Sequence, residues 1–374
     1  MSVASAQFST PYGDFTLDRY PYRSKEPLQA WCSADSLLLE AAAQQQLQPA
    51  STLLLNDEQG ALCVPFRATG LWTDSALAAI AVRANLQANH LPHIPITWST
   101  GQPPGTHSAV MMRIPKQLPY FEYQLGTLAQ LLPEGARVLA AGMDKHLSPY
   151  TARLLDHYIG VTRRHRGRRK ARLFESIRRS GPCPPPPGAT SYYCRELDAE
   201  LYCQPNVFSR TQLDIGTRFL LQHLNQLDSV DSAIDLACGN GVIGLATCQS
   251  GLAQHVAFCD ESAMAVASAR ENCQRLYPGS PDRFSFFHGD GLLDYPGKRA
   301  DLILCNPPFH SQHAVDEFAG KRLLQQCGDY LHSGGTLCLV ANRHLDYGPV
   351  LRRKFTFAER LAQNSKFILW LARK

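Results

Sequence analysis

The chain has 374 residues, of which 44% are hydrophobic, and its formal net charge is +5. That length favours two domains over one, and the apolar content excludes a chain that is disordered over most of its length. The N-terminus lacks a basic segment followed by an apolar one, and no apolar run approaches the ~20 residues of a membrane helix. We therefore expect a cytoplasmic, monomeric protein without a membrane partner.

The first half alternates short apolar runs with helical patterns. Strands are predicted at 52–55, 110–116 and 137–142, and a helix at 125–132 precedes the last of them. Strands that alternate with helices indicate a mostly parallel sheet that is covered on both faces. The first half is therefore predicted to be an α/β domain.

A basic run and a proline tract follow. Residues 163–172 carry seven Lys and Arg side chains, without which the net charge of the chain would be −2. Four consecutive prolines at 184–187 lack amide donors and have a fixed φ, so they predict an extended, semi-rigid linker. We place the domains at 1–180 and 190–374, with the linker at 181–189 and the basic run as a cationic connection between the domains.

The second half repeats the order of elements in the first. Strands are predicted at 233–236, 255–259, 283–287, 301–305 and 336–341. Repetition of one order of elements indicates duplication, so both halves are predicted to be α/β domains. The chemistry is not repeated, because Asp235, Gly239 and Asn306 correspond in the first half to Leu54, Glu58 and Ile114. The first domain is predicted to be a degenerate copy.

A glycine-rich turn follows the strand at 233–236. Gly239, Gly241 and Gly244 fit the G-x-G-x-x-G pattern of a dinucleotide site, and Asp260 lies about twenty residues further on, after the next strand. The same arrangement suits S-adenosylmethionine, because an acid at that place can accept from both ribose hydroxyls. The loop alone does not choose between these cofactors, and its glycines can also serve only to pack a helix on a strand.

Two further acids bear on the choice of cofactor. Asp235 lies in the first strand of this half, where it can meet a ligand ammonium directly or through water, and a nicotinamide has no cation there. Asp290 is predicted to accept from an adenine amino group, although a polar turn residue is an equal alternative. The predicted cofactor contacts are Asp235, Gly239, Asn240, Gly241, Asp260 and Asp290.

The segment Asn306-Pro307-Pro308-Phe309 lies at the carboxyl end of a buried strand, in the crevice where open α/β sheets bind ligands. If the Asn306 side-chain oxygen and the Pro307 carbonyl each accept one N–H of an aromatic amine, the nitrogen lone pair is freed to point at a methyl group. Phe309 can stack on the planar base. These three residues are the predicted catalytic group, and attack on a sulfonium methyl needs no prior base.

The twelve cysteines form neither a CxxC pair nor a His/Cys cluster at ligand spacing. They are scattered through segments with the pattern of buried strands and helices. We interpret them as small buried hydrophobes in a reducing compartment, and we expect neither a metal site nor disulfides.

Residues 190–374 resemble the catalytic domain of the bacterial ribosomal RNA guanine-N2 methyltransferases, a class I, Rossmann-like family. The matching segments are 206–210, 213–216, 235–244 and 306–310, and weaker strings at 260–262, 264–268 and 341–347 favour the large-subunit members. The resemblance implies two tandem class I methyltransferase domains, of which the N-terminal one is degenerate. It also implies methyl transfer from S-adenosylmethionine, with S-adenosylhomocysteine as product, to the N2 amine of one guanine of 23S rRNA, the 1835 site.

Other functions stay open at this point. The small-subunit sister enzymes share the motif at 306–310, so methylation of 16S rRNA is an alternative. Methylation of adenine N6 in DNA or of a glutamine amide is another, although such enzymes usually carry Tyr in place of Phe309. A non-enzymatic RNA-binding assembly factor is an alternative of a different class. A nicotinamide oxidoreductase fits the glycine loop but leaves residues 306–309 unexplained.

The basic run is the predicted RNA-binding segment of the first domain. Seven cations within ten residues suit a phosphate backbone, although most charge runs are solvated loops. A base inside a duplex cannot reach Asn306, so the target guanine must lie in a loop or be flipped out. The residues predicted to bind RNA are Arg163, Arg164, Arg166, Arg168, Arg169, Lys170 and Arg172.

Overall fold

The computed structural model describes residues 4–23, 25–307, 313–345 and 347–374. The chain folds into two compact units, residues 1–188 and 189–374, each with its own sheet and core. None of the helices in the described ranges is long and apolar enough to cross a membrane.

The first unit starts with a β-hairpin and continues into a seven-stranded sheet. Its strands are β1 (Gln7–Thr10), β2 (Gly13–Thr16), β3 (Thr52–Leu55), β4 (Leu71–Thr73), β5 (Ile96–Trp98), β6 (Ala109–Arg113), β7 (Arg137–Met143), β8 (Thr162–Arg164) and β9 (Ala171–Ile177). Its helices are α1 (Ser33–Gln44), α2 (Cys63–Phe66), α3 (Ala76–Ala88), α4 (Leu118–Leu131) and α5 (Thr151–Tyr158).

The second unit has the same plan. Its strands are β10 (Thr190–Cys194), β11 (Ala199–Cys203), β12 (Val230–Leu236), β13 (Ala253–Asp260), β14 (Phe284–His288), β15 (Ala300–Cys305), β16 (Leu331–Asn342), β17 (Phe357–Gln363) and β18 (Phe367–Arg373). Its helices are α6 (Ile215–Leu221), α7 (Val242–Gln249), α8 (Ala263–Leu276), α9 (His313–Tyr330) and α10 (Gly348–Lys354).

The two large sheets have one topology. The strand order is β5-β4-β3-β6-β7-β9-β8 in the first unit and β14-β13-β12-β15-β16-β18-β17 in the second. The first five strands of each sheet are parallel, and the last two form an antiparallel edge. Strand order reverses beside β12 and beside β3, which opens a crevice at the carboxyl ends of the strands. The predicted fold class, two tandem Rossmann-like domains, is confirmed.

Alternation along the central strands builds a core on both faces of the second sheet. In β15, Leu302 and Leu304 face one apolar cluster, while Ile303 and Cys305 face the other. Because side chains alternate along a strand and both faces are covered by helices, the strand is a continuous apolar run. An ionisable side chain in β12 is therefore an exception that requires a local explanation.

A buried asparagine joins three parts of the second unit. Asn272 of α8 donates from Nδ2 to the carbonyls of Tyr202 (2.9 Å) and Asn240 (3.0 Å), and its Oδ1 accepts from the Tyr202 amide (2.8 Å). The helix, the hairpin strand β11 and the loop after β12 are thus held together by one side chain.

The first unit contains the same connection. Asn85 of α3 donates to the carbonyls of Asp18 (2.8 Å) and Gln59 (2.7 Å), and its Oδ1 accepts from the Asp18 amide (2.9 Å). The same residue type makes the same three bonds to equivalent elements, although most of the surrounding sequence differs. Duplication explains this better than a shared α/β rhythm.

The basic run lies at the tip of an edge hairpin, and the expected cationic connection between domains is wrong. Strand β8 pairs with β9, Arg163 opposite Glu175 and Arg164 opposite Phe174, and the turn contains Arg169 and Lys170 at positive φ. The signal that could have revealed β9 is its apolar pair Leu173 and Phe174, which are buried on opposite faces of the sheet, but the dense charge before the pair obscured it.

The proline tract packs on the first unit, which extends to residue 188. Gln130 of α4 donates to the carbonyls of Cys183 (3.0 Å) and Pro184 (3.2 Å). A Cβ at Gly126 would lie 2.4 Å from the Cα of Pro186, so only glycine permits this approach. The tract is therefore docked on α4 over much of the segment that was expected to be a free linker.

Candidate functional site

The loop after β12 contains one glycine that faces open space. The chain turns through positive φ at Ala237 (59°), Gly239 (54°) and Gly241 (82°) before α7 begins. A Cβ at Gly244 would lie 2.4 Å from the ring of Phe258, whereas one at Gly239 would meet no atom within 4 Å. Gly244 therefore packs helix on strand, and Gly239 is the glycine that a ligand can approach.

Asp260 stands next to that glycine at the end of β13. Its Oδ2 accepts from the amide of Gly239 at 2.9 Å, and its Oδ1 accepts from the amide of Ser262 at 2.9 Å. A carboxylate is an acceptor with several lone-pair sites, so a side chain of this type at this place suits hydroxyl donors. Asp260 is thus oriented toward the loop by two backbone donors.

Asp235 is completely buried below the loop. Its Oδ2 accepts from the amide of Gly244 at 2.8 Å, while its Oδ1 has no hydrogen-bond partner within the described ranges. Burial raises the pKa of this carboxyl to about 8. The hydrogen bond from Gly244 lowers the pKa and the negative charge of Asp260 raises it, but both effects are smaller than that of burial. An unpaired buried carboxylate oxygen is costly, so it suits a ligand that brings a cation or a donor.

A partly open pocket lies above the glycine loop. It brings Gly239 and Asn240 together with Asn306, which follows β15. The sequence predicts no individual role for the five polar or aromatic residues that complete the wall (Tyr192, Phe208, Ser209, Asp214 and Thr217), although segments 206–210 and 213–216 match motifs of the family that the chain resembles. The lining residues are Tyr192, Phe208, Ser209, Leu213, Asp214, Thr217, Ala237, Cys238, Gly239, Asn240, Val242, Ile243 and Asn306.

The amide nitrogen of Asn306 is fully used by the protein. Nδ2 donates to Asp214 Oδ2 at 3.0 Å and to Thr217 Oγ1 at 2.9 Å. Both N–H groups of the amide are therefore engaged, and Oδ1, which has no donor among the residues that the structure describes, can accept a hydrogen bond in the pocket. Pro307 follows directly and is buried, whereas Phe309 lies outside the described residues.

Two predicted cofactor contacts have their side chains engaged elsewhere. Asn240 donates to the hydroxyl of Tyr192 (3.1 Å) and to the Sγ of Cys203 (3.3 Å), so it holds the loop to the β10–β11 hairpin. Asp290 is buried, and both of its carboxylate oxygens accept from Arg322 of α9. The adenine contact of Asp290 stays a prediction, and this ion pair favours the alternative structural role.

Across the described residues, no group of three or more His, Cys, Asp or Glu side chains could hold a metal ion. All twelve cysteines are free thiols, and ten of them are buried. Burial raises the pKa of Cys203 to about 11 and similarly disfavours ionisation of the other buried thiols, which suits packing rather than reactivity.

The first unit keeps the frame of the loop without its ligand-facing groups. In the first unit, Asn56 and Gly60 have positive φ values of 56° and 87° and are four residues apart. Ala237 and Gly241 of the second unit have the same spacing, with φ values of 59° and 82°. By this alignment Glu58 replaces Gly239, as predicted. The acid is lost too, because Thr73 ends β4 where Asp260 ends β13, and each accepts from the amide two residues later.

Arg113 occupies the place of Asn306 in the first unit, which corrects the predicted Ile114. The ladder pairs Leu55 with Met112, just as Leu236 pairs with Cys305, so the next residues, Arg113 and Asn306, are equivalent. A one-residue error arises because ladder register cannot be read from the sequence of a single strand.

A buried ion pair fills the equivalent place in the first unit. Arg113 Nη1 lies 2.5 Å from Asp35 Oδ1, and their side chains are 16% and 2% exposed. Asp35 is the third residue of α1, as Thr217 is of α6. The contact from strand end to helix start is therefore kept, but a guanidinium has no acceptor to offer a substrate amine.

Comparison with known proteins follows the same division of the chain. Residues 5–180 match the RLMG N-terminal domain, and residues 198–370 match the methyltransferase small domain. The chain is 40% identical to ribosomal RNA large subunit methyltransferase G of Alcanivorax borkumensis, over 97% of this chain and 96% of that protein. It belongs to the ribosomal RNA large subunit methyltransferase G family. The protein of that name from Pseudomonas aeruginosa PAO1 is 38% identical over 98% of this chain and 99% of its own.

A solved structure has the same fold over the whole chain. It is the T. thermophilus 16S rRNA N2 G1207 methyltransferase in complex with AdoMet and guanosine, with a TM-score of 0.76 and 21% identity. The match covers 98% of this chain and 97% of that one. The predicted family is confirmed, and the protein is an enzyme with an S-adenosylmethionine-dependent methyltransferase fold.

Asp235 should make the stability of the ligand-free protein depend on pH. A carboxyl whose pKa is raised from 3.8 to about 8 holds its proton more tightly in the folded state, so stability falls as pH rises between these values. Asp235→Asn removes this loss. We expect the difference in melting temperature, Asp235→Asn minus wild type, to increase from about pH 5 to about pH 8 and then to stay constant. Surface Asp228→Asn is the control, and a constant difference for Asp235→Asn would contradict the assignment.

The ion pair of the first unit should be important for stability only as a pair. Asp35→Asn leaves Arg113 buried without a counter-charge and should reduce the free energy of unfolding by about 3–5 kcal/mol. Asp35→Leu combined with Arg113→Met should recover most of that loss, because no buried charge remains. Urea denaturation of the three proteins measures both effects. Equal midpoints for wild type and Asp35→Asn would show that the pair is solvated.

Proposed function

We propose that this enzyme transfers a methyl group from S-adenosylmethionine to the exocyclic N2 of one guanine in 23S rRNA, the 1835 site. The observation that carries the proposal is the orientation of Asn306, whose amide protons are taken up by Asp214 and Thr217. Its carbonyl oxygen is left as an acceptor beside the glycine loop. The large-subunit name of relatives at about 40% identity supports the choice of rRNA.

Three groups around the loop fit S-adenosylmethionine. Gly239 leaves open space for close approach of the ligand, Asp260 is a carboxylate beside the loop of the type that accepts from ribose hydroxyls, and the Oδ1 of Asp235, which has no partner among the described residues, suits the ammonium of the amino-acid part. When bound, the cofactor supplies a methyl group made electrophilic by its sulfonium sulfur. The AdoMet complex of the T. thermophilus enzyme supports the same cofactor here.

The chain is expected to activate the amine by accepting hydrogen bonds from its N–H groups. In guanine the N2 lone pair is delocalised into the ring, which makes the nitrogen a poor nucleophile. If Asn306 Oδ1 and the Pro307 carbonyl each accept one N–H, the nitrogen becomes tetrahedral and its lone pair turns toward the methyl group. As the new N–C bond forms and the bond from the methyl group to sulfur breaks, the nitrogen becomes cationic and then loses one proton to solvent, so no base is required before the attack.

The exposed part of the basic hairpin is the proposed RNA contact of the first unit. Arg168 pairs with Glu40 (2.8 Å) and Arg172 with Asp144 (3.1 Å), so these two cations are already compensated. The other five are exposed and have no acidic partner within the described ranges: Arg163, Arg164, Arg166, Arg169 and Lys170. Five free cations rather than seven are therefore available to phosphates.

A neighbouring turn extends this positive surface. The carbonyl of Lys170 accepts from the amide of Asp144, which places the hairpin tip beside residues 144–146. Partial burial and the charges of Lys116 and Lys145 lower the pKa of His146. The positive charges of Lys116 and Lys145 beside this turn favour phosphate oxygens.

Methylation of 16S rRNA is the second candidate, because the solved structure with the same fold is named for that substrate. Incubating the enzyme and labelled cofactor with rRNA from a strain that lacks this protein distinguishes the candidates. Label on N2-methylguanosine in 23S rRNA supports the proposal. Label in 16S rRNA, on another nucleoside, or on neither RNA would contradict it.

Asn306→Ala should separate chemistry from cofactor binding. We expect kcat to fall by a factor of about 10² or more, because a preorganised acceptor is lost, while the affinity for S-adenosylmethionine changes less than about twofold. Tritiated methyl transfer and calorimetry measure the two quantities. Asn225→Ala, an exposed change of the same type, is the control. Normal turnover of Asn306→Ala would refute the role assigned to the amide.

Neutralising the five free cations should weaken binding of rRNA and flatten its salt dependence. Each lost phosphate contact should reduce the slope of log affinity against log salt concentration by about 0.7–0.9. Changing Arg168 and Arg172 to Gln is the matched control and should alter the slope less, because both are paired with acids. Filter binding at several salt concentrations provides the slopes. Equal slopes for wild type and the variant with all five substitutions would show that the hairpin tip is solvated and does not contact RNA.

A further inference from the structure

Asp214 and Thr217 make a contact that the reaction described above does not by itself require. Asp214 precedes α6, where its Oδ2 accepts from the Thr217 amide (2.9 Å) and from Asn306 Nδ2 (3.0 Å). The Thr217 hydroxyl accepts the second proton of Nδ2 at 2.9 Å. Gly216 leaves room for this arrangement, because a Cβ there would lie 3.1 Å from the same oxygen of Asp214.

The two ends of a carboxamide have nearly the same shape but opposite hydrogen-bonding capacity. A carboxylate can only accept, so Asp214 requires that Nδ2 of Asn306 face it. In the reversed orientation, Oδ1 would meet Asp214 oxygen to oxygen, and the amide N–H groups would face the substrate amine. An amine presented with donors keeps its N–H groups unpaired, and its lone pair is not released.

We propose that Asp214 and Thr217 are positioning residues for methyl transfer, which hold the Asn306 carboxamide in the one orientation that offers Oδ1 to the substrate amine. The inference rests on the proposed function. It assigns a role to the segment at 213–216, which the sequence marks as a motif but which neither the cofactor nor the base contacts explain.

The first unit shows that this contact belongs to the fold while its chemistry is variable. There the third residue of α1, Asp35, holds Arg113 at the position of Asn306. In both units, a residue at the end of the central strand contacts the first turn of a helix. Only the second unit combines an acceptor pair on the helix with an amide on the strand, which is the combination that fixes an oxygen toward the pocket.

The test uses variants that keep the helix cap. Asp214→Ser retains an equally good N-cap but is too short to reach Asn306, and Thr217→Val keeps the shape without the hydroxyl. We expect the double variant to lose about 10–100-fold in kcat, with KM for rRNA and Kd for S-adenosylmethionine within about twofold of wild type. As a single change, Thr217→Ser keeps the hydroxyl and should therefore retain most of the kcat that Thr217→Val loses. Ser75→Ala, which removes a cap in the first unit, should change the melting temperature but not kcat.

A second measurement does not depend on activity. In the full chain labelled with ¹⁵N-asparagine, the side-chain amide signal that disappears in Asn306→Ala reports hydrogen exchange at Nδ2. The signal should be protected in wild type and exchange quickly in the double variant. An unprotected wild-type signal, or a double variant with kcat within about twofold of wild type, would overturn the inference. If the wild-type signal is protected but the enzyme methylates no guanine, the proposed function is wrong, whereas the orientation of Asn306 is established.

Discussion

The site depends on the register of one parallel ladder. Leu236 at the end of β12 lies opposite Cys305 at the end of β15, so the glycine loop and Asn306 leave the sheet at the same level. A shift by one residue would turn Asn306 away from the crevice and exchange the apolar residues of the two cores. Burial of both faces of β15 therefore fixes the register, and the register places an acceptor beside the cofactor loop.

The duplication shows which parts of this frame are scaffold and which are chemistry. Asn85 and Asn272 make the same three hydrogen bonds, and both loops turn through positive φ at equivalent places. The groups that face a ligand are the ones that differ. A fold held by backbone and asparagine contacts can lose its reacting side chains without losing its shape, which is how a silent copy persists.

Much of this could be read from the sequence, and the failures have physical causes. Alternating strands and helices, the glycine loop and the motif after β15 were evident because they are local patterns. The partners of Asn306 were not, since Asp214 lies 92 residues away and only the fold brings the two together. The partners of the Asn240 and Asp290 side chains in the fold were not evident from the sequence either, and the contacts of both residues with the cofactor stay predictions. The edge hairpin was not evident because strong charge in the turn concealed the short apolar segment of β9.

The two units differ in charge at their edge hairpins and in reactive groups at their crevices. The hairpin β8–β9 of the first sheet corresponds to β17–β18 of the second, where the connection at 364–366 carries a single basic residue. Charge on the tip of an edge hairpin stays hydrated, so it costs little stability and also discourages pairing with another sheet. A crevice cannot change so freely, because each ionisable group there must find a partner when buried. The exposed hairpin is therefore a less constrained place for added charge than the crevice, where the partners of each ionisable group limit what can replace it.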